Sequence, residues 1–195
     1  MDGTLLDLHF DNHFWLEHVP KKLAEKNGMS LQAAKNTMTL EMQKVVGTLS
    51  WYCLDFWAEK LDLNIVEAKR EIEHLISIRE DSLPFIDALK ASGRDVILVT
   101  NAHPDSLSLK MEHTQLEDHI DQLISTHEFS VTKESQVLWQ RLQAKLGFNP
   151  EHTLFVDDSL GILKAAQVFG IKHLLAVSNP DSRQPARKIS EFPSI

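Results

Sequence analysis

The chain has 195 residues, of which 43% are hydrophobic and 25% charged, the composition of an ordinary globular protein. This length suits one domain, or one domain with a smaller insertion, and is sufficient to bury a core. The net charge of −8, without a basic cluster, argues against a nucleic-acid partner. The single cysteine, Cys53, excludes an internal disulfide, indicates the reducing cytoplasm, and is predicted to be a buried small residue. No apolar run approaches the roughly 18 residues of a membrane span.

The first residues, MDGTLLD, are typical of a loop that leaves the carboxyl end of a buried strand, although no strand precedes them. Residues 12–78 then show helical patterns throughout. Ser30 is placed to cap a helix over LQAAKNTM, and Asn64 and Glu67 have capping-box spacing before AKREIEHLISI. We therefore predict a helical segment without a strand in this region.

After residue 79 the pattern alternates between amphipathic helices and short apolar runs. Four helix-then-strand pairs follow one another: PFIDALKASG with DVILVTN, DSLSLKMEH with DQLIST, ESQVLWQRLQAKLG with HTLFVDD, and LGILKAAQVFG with KHLLAVSN. Three of these helices are followed by a glycine, namely Gly93, Gly147 or Gly170. The alternation predicts an α/β fold whose parallel sheet has helices on both faces, with an irregular tail from Asn179.

Polar side chains follow the predicted strands at their carboxyl ends, where open α/β sheets bind ligands. Thr100 and Asn101 end the first apolar run, Asp157 and Asp158 end the third, and Lys133 precedes the helix before that third run. The two adjacent aspartates repel each other and need a cation, and Mg²⁺ prefers such oxygen ligands together with phosphate. Taken singly, the aspartates and the Thr-Asn pair could only cap helices, and the lysine could be a surface residue.

Asp2 lies in a glycine-containing turn, where a carboxylate can act as general acid and base while the glycine lets the backbone approach a ligand. The order of the groups separates two families. A receiver domain also combines paired acids, Thr and Lys, but its acid pair comes early, whereas here the pair comes last. The order Asp-Gly-Thr loop, helical insertion, Thr-Asn, Lys and Asp-Asp resembles the haloacid dehalogenase-like (HAD) hydrolase superfamily across essentially the whole chain.

The resemblance implies a Rossmann-type parallel sheet with a helical cap inserted after the first motif. Residues 1–11 and 79–195 would form the core domain, and residues 12–78 the cap. It also implies a Mg²⁺-dependent phosphatase that works through an aspartyl-phosphate. The implied roles are acid/base and backbone metal ligand for Asp2, phosphoryl binding for Thr100 and Asn101, charge neutralisation for Lys133, and metal binding for Asp157 and Asp158.

The first motif of this superfamily runs Asp-x-Asp-Gly-Thr, and MDGT matches its last four positions. The first Asp is the nucleophile of the family and would directly precede Met1. We therefore expect the natural start to lie roughly 15–25 residues upstream, enough for one strand and its lead-in. The 195 residues alone are expected to be poorly folded or inactive. In-frame upstream codons for an apolar strand ending in Asp would support this expectation, and a stop codon immediately upstream would refute it.

The segments LDLHFDNHFW, WYCLDFW, LVTNAH, STHEF and TLFVDDS are similar to bacterial GMP/IMP nucleotidases of this superfamily. This similarity implies a purine nucleoside monophosphate as substrate for a cytoplasmic monomer or homodimer without a membrane partner. Thr132 departs from it, since a proline is expected before the lysine. Aromatic residues of the cap could stack on the base or pack in the core. Two alternatives stay open: a phosphatase for another small phosphate ester such as a sugar phosphate, and a non-catalytic binding module.

Overall fold

The computed structural model describes residues 1–195 as ten α-helices, one π-helical segment, short 3-10 turns and four strands. The α-helices are α1 (His9–His13), α2 (Val19–Asn27), α3 (Leu31–Val45), α4 (Leu49–Tyr52), α5 (Leu54–Leu61), α6 (Ile65–Arg70), α7 (Ser82–Ala91), α8 (Pro104–Thr114), α9 (Gln136–Leu146) and α10 (Leu160–Phe169). The strands are β1 (Ile97–Thr100), β2 (Gln122–Ser125), β3 (Leu154–Asp157) and β4 (His173–Ala176). None of the helices combines the length and apolarity that crossing a membrane requires.

Local signals explain the helical segment that precedes residue 79. The Ser30 hydroxyl accepts a hydrogen bond from the Ala33 amide at 3.2 Å, at the start of α3. The Asn64 side chain accepts from the Glu67 amide at 3.1 Å, at the start of α6. Each contact satisfies an amide that has no partner within its own helix. Both predicted N-caps are therefore confirmed, and no strand occurs in this segment.

The four predicted helix-then-strand pairs are confirmed as α7–β1, α8–β2, α9–β3 and α10–β4. Gly147 and Gly170 end α9 and α10 in the left-handed region, at φ values of 69° and 110°. A residue without Cβ adopts this conformation at little cost, and the chain can turn sharply from each helix into the next strand. The tail beyond β4 contains no helix or strand, as expected.

The strands form two separate parallel pairs with helices packed around them, which confirms the predicted α/β fold of parallel strands. β1 pairs with β2 and β3 pairs with β4, each over four residues in parallel register. No ladder joins β1 to β3, so each pair has an edge without a backbone partner from the other pair. The additional strand expected from the sequence resemblance stays a prediction.

The helical segment packs directly against the strands through shared apolar residues. One cluster of 21 buried side chains includes Phe14 and Trp57 from the helical segment together with Leu98 of β1 and Leu109 of α8. A second cluster of seven lies around Trp139 of α9, between β2 and α10. Burial of apolar area at about 25 cal/mol per Å² makes such clusters the main stabilising contribution. The helical segment is thus held against β1 and α8 by shared apolar packing.

Candidate active site

The six polar residues singled out in the sequence all line one cavity of about 380 Å³. The parallel topology explains their convergence, because Thr100 is the last residue of β1 and Asp157 the last residue of β3. The opening loop also contributes to this cavity, through Asp2. The lining residues predicted from the sequence are Asp2, Thr100, Asn101, Lys133, Asp157 and Asp158.

A buried ion pair links the ends of β1 and β3. Lys133 Nζ donates to Asp157 Oδ2 at 2.6 Å, and the two side chains are only 7% and 3% exposed. The backbone amide of Lys133 donates to Asn101 Oδ1 at 2.9 Å. Burial acts to lower the pKa of Lys133, but its attraction to Asp157 outweighs burial and raises the pKa above its usual value. Lys133 therefore provides a fixed positive charge inside the cavity.

Thr100 and Asn101 are held by different hydrogen bonds. The Thr100 hydroxyl oxygen accepts from the Ala102 amide at 3.1 Å, which leaves its own hydrogen available for a ligand. Asn101 Oδ1 also accepts from the Thr126 hydroxyl at 3.0 Å, while Asn101 Nδ2 donates to Glu134 at 3.2 Å. The Asn101 side chain thus connects the neighbouring loops by hydrogen bonds, whereas the Thr100 hydroxyl keeps a hydrogen that can be donated to a ligand.

Asp158 lies beside the opening loop in a crowded, charged environment. Burial, and then the negative charge of Asp157, raise the pKa of Asp158 to about 6. Gly3 approaches this carboxyl so closely that a Cβ on the glycine would lie 2.8 Å from Asp158 Cγ and 2.9 Å from Pro180 Cβ. Gly3 also has a φ of +71°. The loop that carries Asp2 can therefore reach the aspartate pair only with glycine at this position.

Replacing Gly3 by alanine should destabilise the protein more than the same change at Gly47. Both glycines have left-handed backbones, at φ values of +71° and +76°, but a Cβ at Gly47 would meet nothing within 4 Å. We expect Gly47→Ala to cost about 1–2 kcal/mol from backbone strain alone. Gly3→Ala should add about 1–3 kcal/mol from overpacking, as measured by urea unfolding. Equal costs would show that the contact with Asp158 is unimportant.

A second buried charge cluster lies behind Asp2. Lys110 Nζ donates to Asp2 Oδ1 and to Asp11 Oδ2, each at 2.6 Å, and Lys69 Nζ donates to Asp11 Oδ1 at 2.8 Å. The lysine side chains are 1% and 2% exposed. Burial acts to raise the pKa of Asp11, but the two lysines together hold this pKa well below its usual value. The hydrogen bond from Lys110 of α8 therefore fixes the position of the Asp2 carboxylate.

Sequence reasoning missed this cluster because its members are far apart along the chain. Lys110 lies one helical turn after Ser106 on α8, and the structure shows that both residues are buried. This spacing puts them on one helix face, where a lysine is unexpected unless a carboxylate meets it. Nothing in the sequence pairs Asp11 with Lys69.

Replacing Lys110 by methionine should lower the free energy of unfolding by roughly 1.5–3 kcal/mol, the range for a hydrogen bond to a charged group. The loss stays moderate because Asp11 retains Lys69 and the Asp2 side chain is 20% exposed. The control is Lys35→Met, which breaks an ion pair of the same 2.6 Å length with an exposed Glu17 and should cost at most about 1 kcal/mol. Equal losses in urea unfolding would contradict the structural role of Lys110.

Aromatic side chains from the helical segment form one wall of the cavity. Trp15, Trp51 and Tyr52 line it, and the Tyr52 hydroxyl donates to Glu134 at 3.1 Å. Trp57 is instead fully buried in the core. Cys53 follows Tyr52 in the loop between α4 and α5 and is partly exposed, so the prediction that this residue is buried is wrong. The loop places the cysteine beside the cavity rather than in the apolar core.

The fold matches solved structures of HAD enzymes. A HAD phosphatase from Thermococcus onnurineus superposes with a TM-score of 0.81 at 22% identity, over all of this chain and 90% of that chain. A HAD family enzyme from Bacteroides thetaiotaomicron, in complex with magnesium and inorganic phosphate, superposes with a TM-score of 0.62 at 17% identity, over 91% and 90% of the two chains. At these identities the likeness concerns the fold alone.

The family is established by the sequence itself. Residues 1–170 match the haloacid dehalogenase-like hydrolase family, and the chain belongs to it. GMP/IMP nucleotidase YrfG of Escherichia coli (strain K12) is 48% identical over all 195 residues, which span 88% of that protein. The protein of the same name from Shigella flexneri shows the same identity and coverage. The resemblance seen in the sequence motifs is therefore confirmed at the level of the family.

Proposed function

We propose that this protein is a Mg²⁺-dependent phosphatase that acts through an aspartyl-phosphate, and that its substrates are purine nucleoside 5′-monophosphates such as GMP and IMP. The observation that carries the proposal is the convergence of Asp2, Lys133 and the aspartate pair in one cavity with an aromatic wall. The 48% identity to a GMP/IMP nucleotidase over the whole chain supports the choice of substrate.

The proposed roles follow from the contacts of each residue. The protonated Lys133 attracts the phosphoryl group and offsets its charge, and the free hydroxyl hydrogen of Thr100 donates to a phosphoryl oxygen. Asn101 orients the Lys133 loop through the backbone amide of that lysine. Asp2 first protonates the leaving oxygen and then takes a proton from the attacking water. Lys110 holds the Asp2 carboxylate in place for both transfers.

The residues present fit a magnesium ion. Asp157 is buried and the adjacent Asp158 is partly buried, and the pKa of Asp158 is raised by burial and then by repulsion from Asp157, both of which a bound cation would offset. Carboxylate and carbonyl oxygens are the ligands that Mg²⁺ takes in phosphate-handling sites. We propose that these two side chains and the backbone carbonyl of Asp2 hold the ion. When bound, Mg²⁺ neutralises phosphoryl charge and orients the phosphate.

By the Asp-x-Asp-Gly-Thr motif of the family, the expected nucleophile is an aspartate two positions before Asp2. We propose that this aspartate accepts the phosphoryl group as the substrate oxygen leaves, and that water then releases inorganic phosphate from it. All activity measurements proposed here therefore use protein expressed with the in-frame upstream codons, alongside the 195-residue chain. Activity of the extended protein alone would agree with this assignment, and equal activity of both would refute it.

We further propose that residues 12–78 act as a cap over the core formed by residues 1–11 and 79–195. The cavity wall formed by Trp15, Trp51 and Tyr52 supports this division, because these residues face the polar strand ends from the helical side. A cap of this kind excludes water and selects the substrate. The aromatic rings offer a surface on which a purine base can stack. We expect the protein in the cytoplasm as a monomer or homodimer.

A substrate panel tests this proposal against its alternatives. Phosphate release is measured with GMP, IMP, a pyrimidine nucleotide and a sugar phosphate, in magnesium and in excess chelator. We expect kcat/KM for GMP and IMP to exceed that for the sugar phosphate by at least about tenfold, or 1.4 kcal/mol. A preference for the sugar phosphate would favour the other ester phosphatase. No release from any ester by the extended protein would favour a non-catalytic binding module.

A further inference from the structure

Three metal-binding side chains meet at the edge of the cavity, outside the aspartate pair. Cys53 lies between α4 and α5, His103 caps the start of α8, and His127 lies in the 3-10 turn Thr126–Phe129 that follows β2. One ligand atom from each residue lies within 4.8 Å of the corresponding atoms of the other two. The cluster therefore joins the helical segment before residue 79 to two loops at the carboxyl ends of β1 and β2.

One member of this cluster has an unsatisfied polar atom. Nε2 of His127 is buried and forms no hydrogen bond. A buried polar atom without a partner is costly, and metal coordination is one way in which a histidine nitrogen is satisfied. The rings of His103 and His127 are nearly perpendicular, at 81°, with centroids 5.1 Å apart. The two rings are therefore arranged edge to face.

Carboxylates flank His103, the other histidine of the cluster, on both sides. Asp55 Oδ2 lies 3.4 Å from Nε2 of His103, and Asp105 Oδ2 lies 3.7 Å from Nδ1. Metal-bound histidines commonly have a carboxylate beside the free ring nitrogen, which fixes the ring orientation. When Nε2 of His103 binds an ion, Nδ1 gives up the hydrogen bond that it accepts from the Asp105 amide at 3.3 Å and donates to the Asp105 carboxylate instead. Asp55, beside Nε2, can supply a fourth ligand.

We propose that Cys53, His103 and His127 bind a zinc-type transition-metal ion. Thiolate and imidazole ligands favour Zn²⁺, whereas Mg²⁺ prefers oxygen. Zinc bonds of about 2.3 Å to sulfur and about 2.0–2.1 Å to nitrogen place tetrahedral ligand atoms about 3.3–3.6 Å apart, so the three ligand atoms, now within 4.8 Å of one another, would move closer together on binding. Binding releases the thiol proton of Cys53. A bound ion would tie the Cys53 loop to the loops after β1 and β2, and this inference is independent of the proposed substrate.

Cobalt spectroscopy tests the site, because Co²⁺ replaces zinc and a coordinated thiolate gives a charge-transfer absorption. Cys53 is the only cysteine among the 195 residues, and the Cys53→Ser variant shows whether the band comes from this residue. Co²⁺ is titrated into the extended protein in a large excess of Mg²⁺, which keeps oxygen sites occupied. We expect a thiolate band that saturates at one Co²⁺ per chain and that added Zn²⁺ removes. Absence of the band would overturn the proposal.

Variants identify the ligands. Cys53→Ser should abolish the band, and His103→Gln and His127→Gln should each weaken Co²⁺ binding by at least about 10–100-fold, the loss that even outer-shell residues cause. His152→Gln changes an exposed histidine outside the cluster and should leave the binding curve unchanged. Circular dichroism confirms that each variant is folded. A band of unchanged affinity in both cluster histidine variants would show a lone thiol and overturn the proposal.

Discussion

Replacing Asp2 by asparagine should lower kcat for phosphate release by about 10²- to 10⁴-fold, the range for loss of a general acid and base. Asparagine has nearly the same shape as aspartate but cannot transfer the proton to the leaving oxygen or take one from water. The Asp2 carboxylate is placed for both steps by the hydrogen bond from Lys110 at 2.6 Å. Steady-state kinetics with GMP in the extended protein measures the effect.

The matched control for this variant is Asp118→Asn. Asp118 is an exposed acid in the turn Leu116–His119, away from the cavity, and its replacement should leave kcat unchanged. Circular dichroism verifies that both variants are folded. If Asp2→Asn retained more than about one tenth of the activity, Asp2 would contribute less than about 1.4 kcal/mol to the barrier and could not be the acid and base.

Replacing Lys133 by methionine should lower the free energy of unfolding by about 3–5 kcal/mol, because Asp157 would be left as a buried charge without a partner. Asp157 is only 3% exposed, and its carboxylate accepts from Lys133 Nζ at 2.6 Å. Urea unfolding in the presence of chelator measures this loss without interference from a metal on the aspartates. The same variant should lower kcat, since the positive charge beside the phosphoryl group is removed.

Lys172→Met is the control for the effect of burial. Its ion pair with Glu151 has nearly the same length, 2.8 Å, but the side chains are 56% and 64% exposed. Water screens this pair, so its loss should cost at most about 1 kcal/mol. The loss in free energy of unfolding should therefore be clearly larger for Lys133→Met than for Lys172→Met. A cost at Lys133 no larger than that at Lys172 would mean that the buried pair has no structural importance.

Features that depend on neighbouring residues could be predicted from the sequence. The caps at Ser30 and Asn64 and the helix ends at Gly147 and Gly170 each follow from a side chain and a backbone only a few residues apart. Four of the six cavity residues, Thr100, Asn101, Asp157 and Asp158, could also be placed, because they end or directly follow strands whose carboxyl ends gather at one edge of a parallel sheet. Asp2 and Lys133 were identified through the resemblance to the family.

Features that depend on distant parts of the chain could not be predicted from the sequence. The bond from Lys110 to Asp2 joins residues 108 positions apart, and no local pattern specifies such a partner. The choice of pairing partner for each strand depends on which strand edges meet in space, and short apolar runs do not encode this choice. The exposure of Cys53 likewise depends on a loop packed at the cavity edge rather than on the residue type.

The most direct test of the proposed function is the release of inorganic phosphate from GMP by the extended protein, with and without Mg²⁺. Asp157 and Asp158 are proposed to hold the ion that this reaction needs. We predict turnover in magnesium, its loss in excess chelator, and its recovery when magnesium is restored. Turnover that is unchanged in chelator, or no turnover of any phosphate ester in magnesium, would contradict the account.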